Sequence, residues 1–186
     1  MKTNLVPILL ILMCFSCSSG MNDEVYKKYQ KKGQEITTNA QAVLLGNVGK
    51  AIQTGGPEYA VEFCNLEASS IVDSLNETFD CNISRISTKN RNPQNALNTE
   101  QEKQMWKLFA EKRLADTVVQ NRNVLVYYKP IRIGMPTCLK CHGNPETDIS
   151  RETKAKIDEL YLADLATGYK LNDFRGLWKV ELERDK

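Results

Sequence analysis

Residues 134–143 read Gly134-Met135-Pro136-Thr137-Cys138-Leu139-Lys140-Cys141-His142-Gly143, a stretch that sets what the surrounding fold must enclose. Its core, Cys138-x-x-Cys141-His142, is the spacing of covalent c-type haem attachment. Two thiols three positions apart can each add to one vinyl group of a single porphyrin, and the adjacent imidazole then lies under the iron. His142 is the only histidine in the chain, so it has no rival as proximal ligand. Three plainer readings compete: a redox-active disulfide, half of a zinc site, and coincidence. A structural zinc site takes four protein ligands, and the missing two would have to be Cys64 and Cys81. The expected cofactor is one covalent haem c.

The chain upstream supports export. Lys2 gives a positive start, and Leu5 to Phe15 is an apolar run too short to span a bilayer. It ends at Cys14-Phe15-Ser16-Cys17, followed by polar Ser18-Ser19-Gly20. A small residue before Cys17 resembles a loose lipobox, with Cys17 acylated as the mature N-terminus; an ordinary cleaved signal peptide is the competing reading. Residues 1–17 are thus expected to be a lipoprotein signal segment, and residues 18–186 one haem-binding domain. The expected location is the periplasmic side of a bacterial membrane, anchored through the N-terminal lipid.

Composition sets further bounds. Of 186 residues, 41% are hydrophobic and 26% charged, which suits one globular domain. The formal charge of +2 leaves no electrostatic footprint for nucleic acid.

Helical spacing of Val25, Tyr29, Ile36, Val43, Leu44 and Val48 predicts a long helix over residues 22–54. Gly55-Gly56-Pro57 ends it and starts a second helix to about Leu75. There Val61, Cys64, Ala68, Ile71 and Leu75 form an apolar stripe. Residues 81–87 read as a strand and 88–98 as a polar loop. Thr99 and Glu102 make a capping box for a third helix carrying Met105, Trp106, Phe109 and Leu114. Residues 117–120 and 124–129 read as strands joined by a short turn, with Pro130 marking an edge or a bulge. Ser150 caps a helix to about Leu160, residues 162–176 look irregular, and 177–182 form a last strand. The fold class expected is α+β.

A second axial ligand must come from a short set. Met105 can reach, Met135 is too close to the attachment loop, and a cysteine thiolate is a known alternative. Cys64, inward on its helix, can offer one; a vacant sixth position is the remaining choice. A Cys64–Cys81 disulfide would compete for the same thiol.

Further stretches carry a specific likeness. They are Ala60-Val61-Glu62-Phe63-Cys64-Asn65, Arg85-Ile86-Ser87-Thr88-Lys89-Asn90-Arg91-Asn92-Pro93-Gln94-Asn95, Tyr128-Lys129-Pro130-Ile131, Ala166-Thr167-Gly168-Tyr169 and Asp173-Phe174-Arg175-Gly176. With Cys138 to His142 they resemble, in order, the family of single-haem c-type proteins with a PAS/GAF-like sensor domain. The resemblance implies an antiparallel sheet flanked by helices, behind a long N-terminal helix. It also implies iron held between His142 and Cys64. Leu171-Asn172-Asp173 has Asn where the family has glycine, and Cys81 matches no family role. In this light Lys89 and Arg91 become candidate partners of the haem propionates, with Arg132 a further one; solvated loop charges are the plainer reading.

Three functions follow. The family likeness implies a redox or small-gas sensing module that signals through a partner protein. A membrane-tethered single-haem electron carrier with a redox partner protein is the alternative. Enzymatic use ranks last, because a peroxidatic haem normally needs a distal acid–base group, usually a histidine.

Overall fold

The computed structural model describes residues 21–185. Four strands form one antiparallel sheet with helices on both faces, the α+β architecture expected. Helix α1 (Asp23–Phe79) opens the fold, with Asn22 accepting the Glu24 amide at 2.8 Å as N-cap. Its first arm buries Tyr29, Gly33, Ile36, Thr37, Ala40 and Leu44, positions three and four apart that make one stripe. That stripe lies on the sheet so closely that a Cβ on Gly33 would overlap the ring of Tyr127.

Gly55 (φ −148°, ψ 23°) and Gly56 (φ 76°, ψ −175°) leave helical values and kink α1 just ahead of Pro57. The break falls where the sequence places it. The second arm runs on to Phe79, one turn past the expected end at Leu75. It buries Ala60, Val61 and Leu75 and leaves Cys64 half-buried.

Strand β1 (Asn82–Ile86) follows, then a 3-10 turn at Pro93–Asn95 inside the polar loop. Helix α2 (Glu100–Lys112) has both halves of its capping box: Glu102 N–H donates to Thr99 Oγ1, and Glu102 Oε2 accepts the Thr99 amide. It stops at Arg113, in the left-handed region (φ 50°), so Leu114 lies beyond the helix. Strands β2 (Thr117–Asn121) and β3 (Val124–Arg132) form a hairpin. Pro130 lies inside β3, but β2 pairs only as far as Tyr128, so β3 is an edge there; a register irregularity follows at Ile131/Arg132.

Helix α3 (Pro136–His142) is the Cys-x-x-Cys-His motif itself, a helix the sequence pattern did not indicate. Helix α4 (Arg151–Leu160) starts at its Ser150 cap. Strand β4 (Phe174–Glu183) begins three residues before the expected Leu177. Arg175 and Gly176 hid that start, and Gly176 is required by close approach, since a Cβ there would sit 2.9 Å from the Ile86 carbonyl oxygen.

The sheet order is β1-β4-β3-β2. Trp178, Val180, Leu182, Ile83, Leu125 and Tyr127 pack under α1, whereas Leu177, Val126, Tyr128 and Ile86 meet Phe109 of α2 on the opposite face. A third cluster, Val61, Ile149 and Ile157, joins the second arm of α1 to α4. Among the described residues no helix is long and apolar enough to cross a membrane.

Candidate functional site

The site forms where the second arm of α1, α3, α4 and the loop after β1 come together. Cys141 packs against the Val61–Ile149–Ile157 cluster, and Val61 lies one helical turn before Cys64 on the second arm of α1. Burial pushes the Cys64 thiol up, opposed by the charges of Arg85 and Arg91. Burial likewise lifts Cys141 to about 11; Arg91 opposes this, while Cys64, Glu58 and Cys138 add to it. Cys64 and Cys141 therefore share one poorly solvated environment, and both are thiols at neutral pH.

His142 is neutral for the same reason. Burial holds its imidazole well below the ordinary range, helped by Arg91, Arg175 and Arg85 and opposed by its bond to Ala166. Nδ1 lies 2.8 Å from the Ala166 carbonyl oxygen, which can only accept, so the proton sits on Nδ1. That leaves the Nε2 lone pair free to bind a metal.

The segment after α4 grips this motif. Ala166 accepts from His142, Tyr169 N–H donates to the His142 carbonyl at 3.0 Å, and Gly168 N–H donates to the Gly143 carbonyl at 2.7 Å. Gly168 holds φ +74°, which favours glycine. Leu165 N–H bonds the Asn90 carbonyl, so the same segment also fastens the loop after β1. The stretch read as irregular is thus a clasp. At its far end Asn172 holds φ +68°, and asparagine is among the few residues besides glycine that tolerate this.

Arg91 is anchored inside the clasp. Its Nε donates to Asp164 Oδ1 at 3.0 Å, and its Nη2 donates to the Cys141 carbonyl at 2.6 Å and to Asp164 Oδ2 at 3.3 Å. Both side chains are nearly enclosed. Lys89 is exposed, with Nζ on the Thr167 carbonyl at 2.6 Å and 4.3 Å from the Tyr169 ring centre. Arg132 is exposed as well and bonds the Asn172 carbonyl.

The other sequence candidates separate from this place. Met105 packs in the α2 layer, across the sheet, and Met135 is exposed. Cys81 packs at the margin of the α1–sheet core. Cys64, Cys81, Cys138 and Cys141 are all free thiols. Among the described residues no group of three or more His, Cys, Asp or Glu side chains forms a metal-ion cage, as the zinc reading would need. Cys17 lies outside the described residues.

Sequence reasoning missed Arg85 and Arg175. Arg85 shares the inward face of β1 with Ile83, and its guanidinium stands 6.0 Å from the Trp178 ring centre. Arg175 donates through Nη1 to Ser87 Oγ (3.2 Å) and to the Lys89 carbonyl (2.9 Å). Burial lowers the pKa of both guanidinium groups. The signal was present in alternation: an arginine two residues from Ile83 in a short strand must face the same way.

The arrangement suits an anionic ligand carrying a metal. It offers two thiols on one turn, a neutral imidazole with Nε2 free, a further thiol nearby and converging guanidinium groups. The Tll0287-like family model (Tll0287) matches residues 20–182. No curated protein matches the chain. Among solved structures, the "cyanobacterial heme-protein Tll0287" superposes with a TM-score of 0.65 at 20% identity, over 89% of this chain and 99% of that one.

Proposed function

The chain belongs to the Tll0287-like family, and on that premise we propose that it is a haem-binding protein, carrying one covalent haem c between His142 and Cys64. The observation that carries this is the Nδ1–Ala166 bond, which leaves Nε2 of His142 as the free lone pair in the residue next to Cys141. Bound there, haem supplies a one-electron iron couple and an exchangeable coordination position. The chain supplies the rest. Cys138 and Cys141 would hold the group covalently, each S–H adding across one vinyl group with the sulfur on one carbon and the hydrogen on the other. The Ala166 carbonyl fixes the tautomer and orientation of His142. Cys64 would hold the metal as thiolate, an anion that the charges of Arg85 and Arg91 favour.

We read the domain as a redox or small-gas sensor. Cys64 sits on the arm of α1 beyond the Gly55–Gly56 kink, so gain or loss of its bond acts on a long element that spans the sheet. The electron-carrier alternative draws on a different observation: Met135, Pro136 and Thr137 are exposed, so the motif approaches the surface. Export, a Cys17 lipid anchor and a periplasm-facing membrane location complete the proposal and rest on the sequence of residues 1–20.

One preparation tests the core. Full-length protein made with a c-type maturation system should retain haem through acid–acetone extraction, and its intact mass should equal a chain starting at lipidated Cys17 plus one haem. Haem that extracts freely ends the covalent reading, and an unmodified N-terminus ends the lipid anchor. Carbon monoxide binding to the ferrous form with displacement of a ligand favours the sensor, whereas an inert six-coordinate ferrous form favours the carrier.

A further inference from the structure

Arg91 donates to the Cys141 carbonyl, and the Arg175 guanidinium stands 5.3 Å from the ring centre of Tyr169, whose N–H donates to the His142 carbonyl; the charge of Arg85 acts on both His142 and Cys64. Buried charges need partners of opposite sign. The clasp supplies one carboxylate, Asp164, and it is taken: it accepts from Arg91 and from the Ala166 amide. Three positive groups against one negative leave two positive charges, those of Arg85 and Arg175.

Their donors tell the same story. A guanidinium has five N–H donors in a planar fork. Arg91 spends Nε and Nη2 within the protein. Arg175 spends only Nη1, and its Nε is buried with no protein partner. The Arg85 side chain makes no hydrogen bond to the described residues, and the buried indole Nε1 of Trp178 beside it is also unpartnered. Each of the two arginines leaves a bidentate edge unused, the geometry that matches a carboxylate.

We infer that Arg85 and Arg175 form the carboxylate-binding pair of this site, one for each propionate of the porphyrin, while Arg91 is a positioning residue that ties the Asn90–Arg91 loop to the clasp. The inference rests on the haem reading above and reassigns the propionate role that sequence gave to Arg91 and Lys89. Charge bookkeeping agrees. Ferric iron (+3), two porphyrin nitrogen anions and one thiolate sum to zero, so the two propionates are the charge left to match the two free guanidinium groups. Lys89, exposed and bonded to Thr167, contributes no buried partner.

The test uses ferric holoprotein and the propionate bending bands in its resonance Raman spectrum, compared among wild type, R85Q, R175Q and an R132Q control. Haem staining of the denatured protein is run alongside. The expected result is a shifted propionate band in R85Q and in R175Q, with R132Q like wild type. R85K and R175K serve if the Gln variants fail to fold; they keep the charge but lose the fork, and should also shift the band. Unshifted bands in the Arg85 and Arg175 variants overturn the pair. So does a wild-type propionate band that moves on addition of chloride or acetate, which would mean that the two arginines hold a free anion. A chain with no covalent haem instead fails the underlying reading, and the stain separates that outcome from the others.

Discussion

A half-buried cysteine on an amphipathic helix is ordinarily a small hydrophobe. Cys64 lies on the second arm of α1, whereas Cys81 follows the end of that helix, and their neighbours differ as well. Cys64 feels the charges of Arg85 and Arg91 and couples to Cys141, whereas Cys81 abuts the α1–sheet core near Lys32. Replacing Cys64 by Ala should open the sixth position and turn the ferric spectrum from low to high spin. Cys81→Ala should leave that spectrum alone. An anionic thiolate favours ferric iron, so Cys64→Met should raise the reduction potential. A low-spin ferric spectrum in Cys64→Ala would remove Cys64 from the iron. At this scale the sequence shows chemistry better than neighbourhood: Cys138, Cys141, His142 and Cys64 are legible as types at spacings. Asp164 and Ala166 are not, because their roles exist only through contacts with residues 73 and 24 positions away.

At the scale of elements, α1 allows a test of opposed magnitudes. Alanine for glycine inside a helix ordinarily gains up to about 1 kcal/mol. At Gly33 the new methyl would meet Tyr127 Cδ1 at 2.6 Å and other ring atoms closer still, and Tyr127 is fully buried. Overpacking of that kind costs about 1–3 kcal/mol, so Gly33→Ala should lower stability in thermal denaturation. Gly46 lies on the same helix with nothing within 4 Å, and Gly46→Ala should raise it. The elements most legible in sequence are those with local causes. Gly55-Gly56-Pro57 forces a break whatever packs around it, and Thr99 with Glu102 caps a helix within one turn. The clasp over residues 164–169 was illegible because its order comes from the distant carbonyls of Asn90, His142 and Gly143, so no periodicity marks it. The start of β4 was hidden likewise, by a charged residue and a glycine whose reasons are tertiary.

For the whole molecule, the tie between α2 and the sheet gives a pH-dependent stability. Glu102 is buried; burial alone would raise its carboxyl, but the Lys179 ammonium and the Asn98 and Thr99 amides outweigh this and hold it below the ordinary range. A carboxylate depressed on folding stabilises above its unfolded pKa, and that contribution is lost as pH falls through the folded value. Glu102→Gln should therefore cost about 2 kcal/mol at neutral pH, the scale of a hydrogen bond to a charged group. The gap between wild type and variant should close in acid below about pH 4. Chemical denaturation at pH 7 and in acid reads both numbers, and a gap that persists in acid would count against the ion pair as its source.

Strand β4 is the last strand in the chain yet stands between β1 and β3 in the sheet, and the clasp that holds His142 lies just ahead of it. A polypeptide delivered from its N-terminus shows Cys138, Cys141 and His142 before either exists. While it emerges, β1 and β3 have no common neighbour and the histidine has no Ala166 to turn its ring. On the haem reading, attachment therefore meets an open substrate, a short helix on an unfinished sheet. The arrival of residues 164–183 seals the group in place, so the order in which the chain is delivered is also the order in which the protein is loaded and then closed.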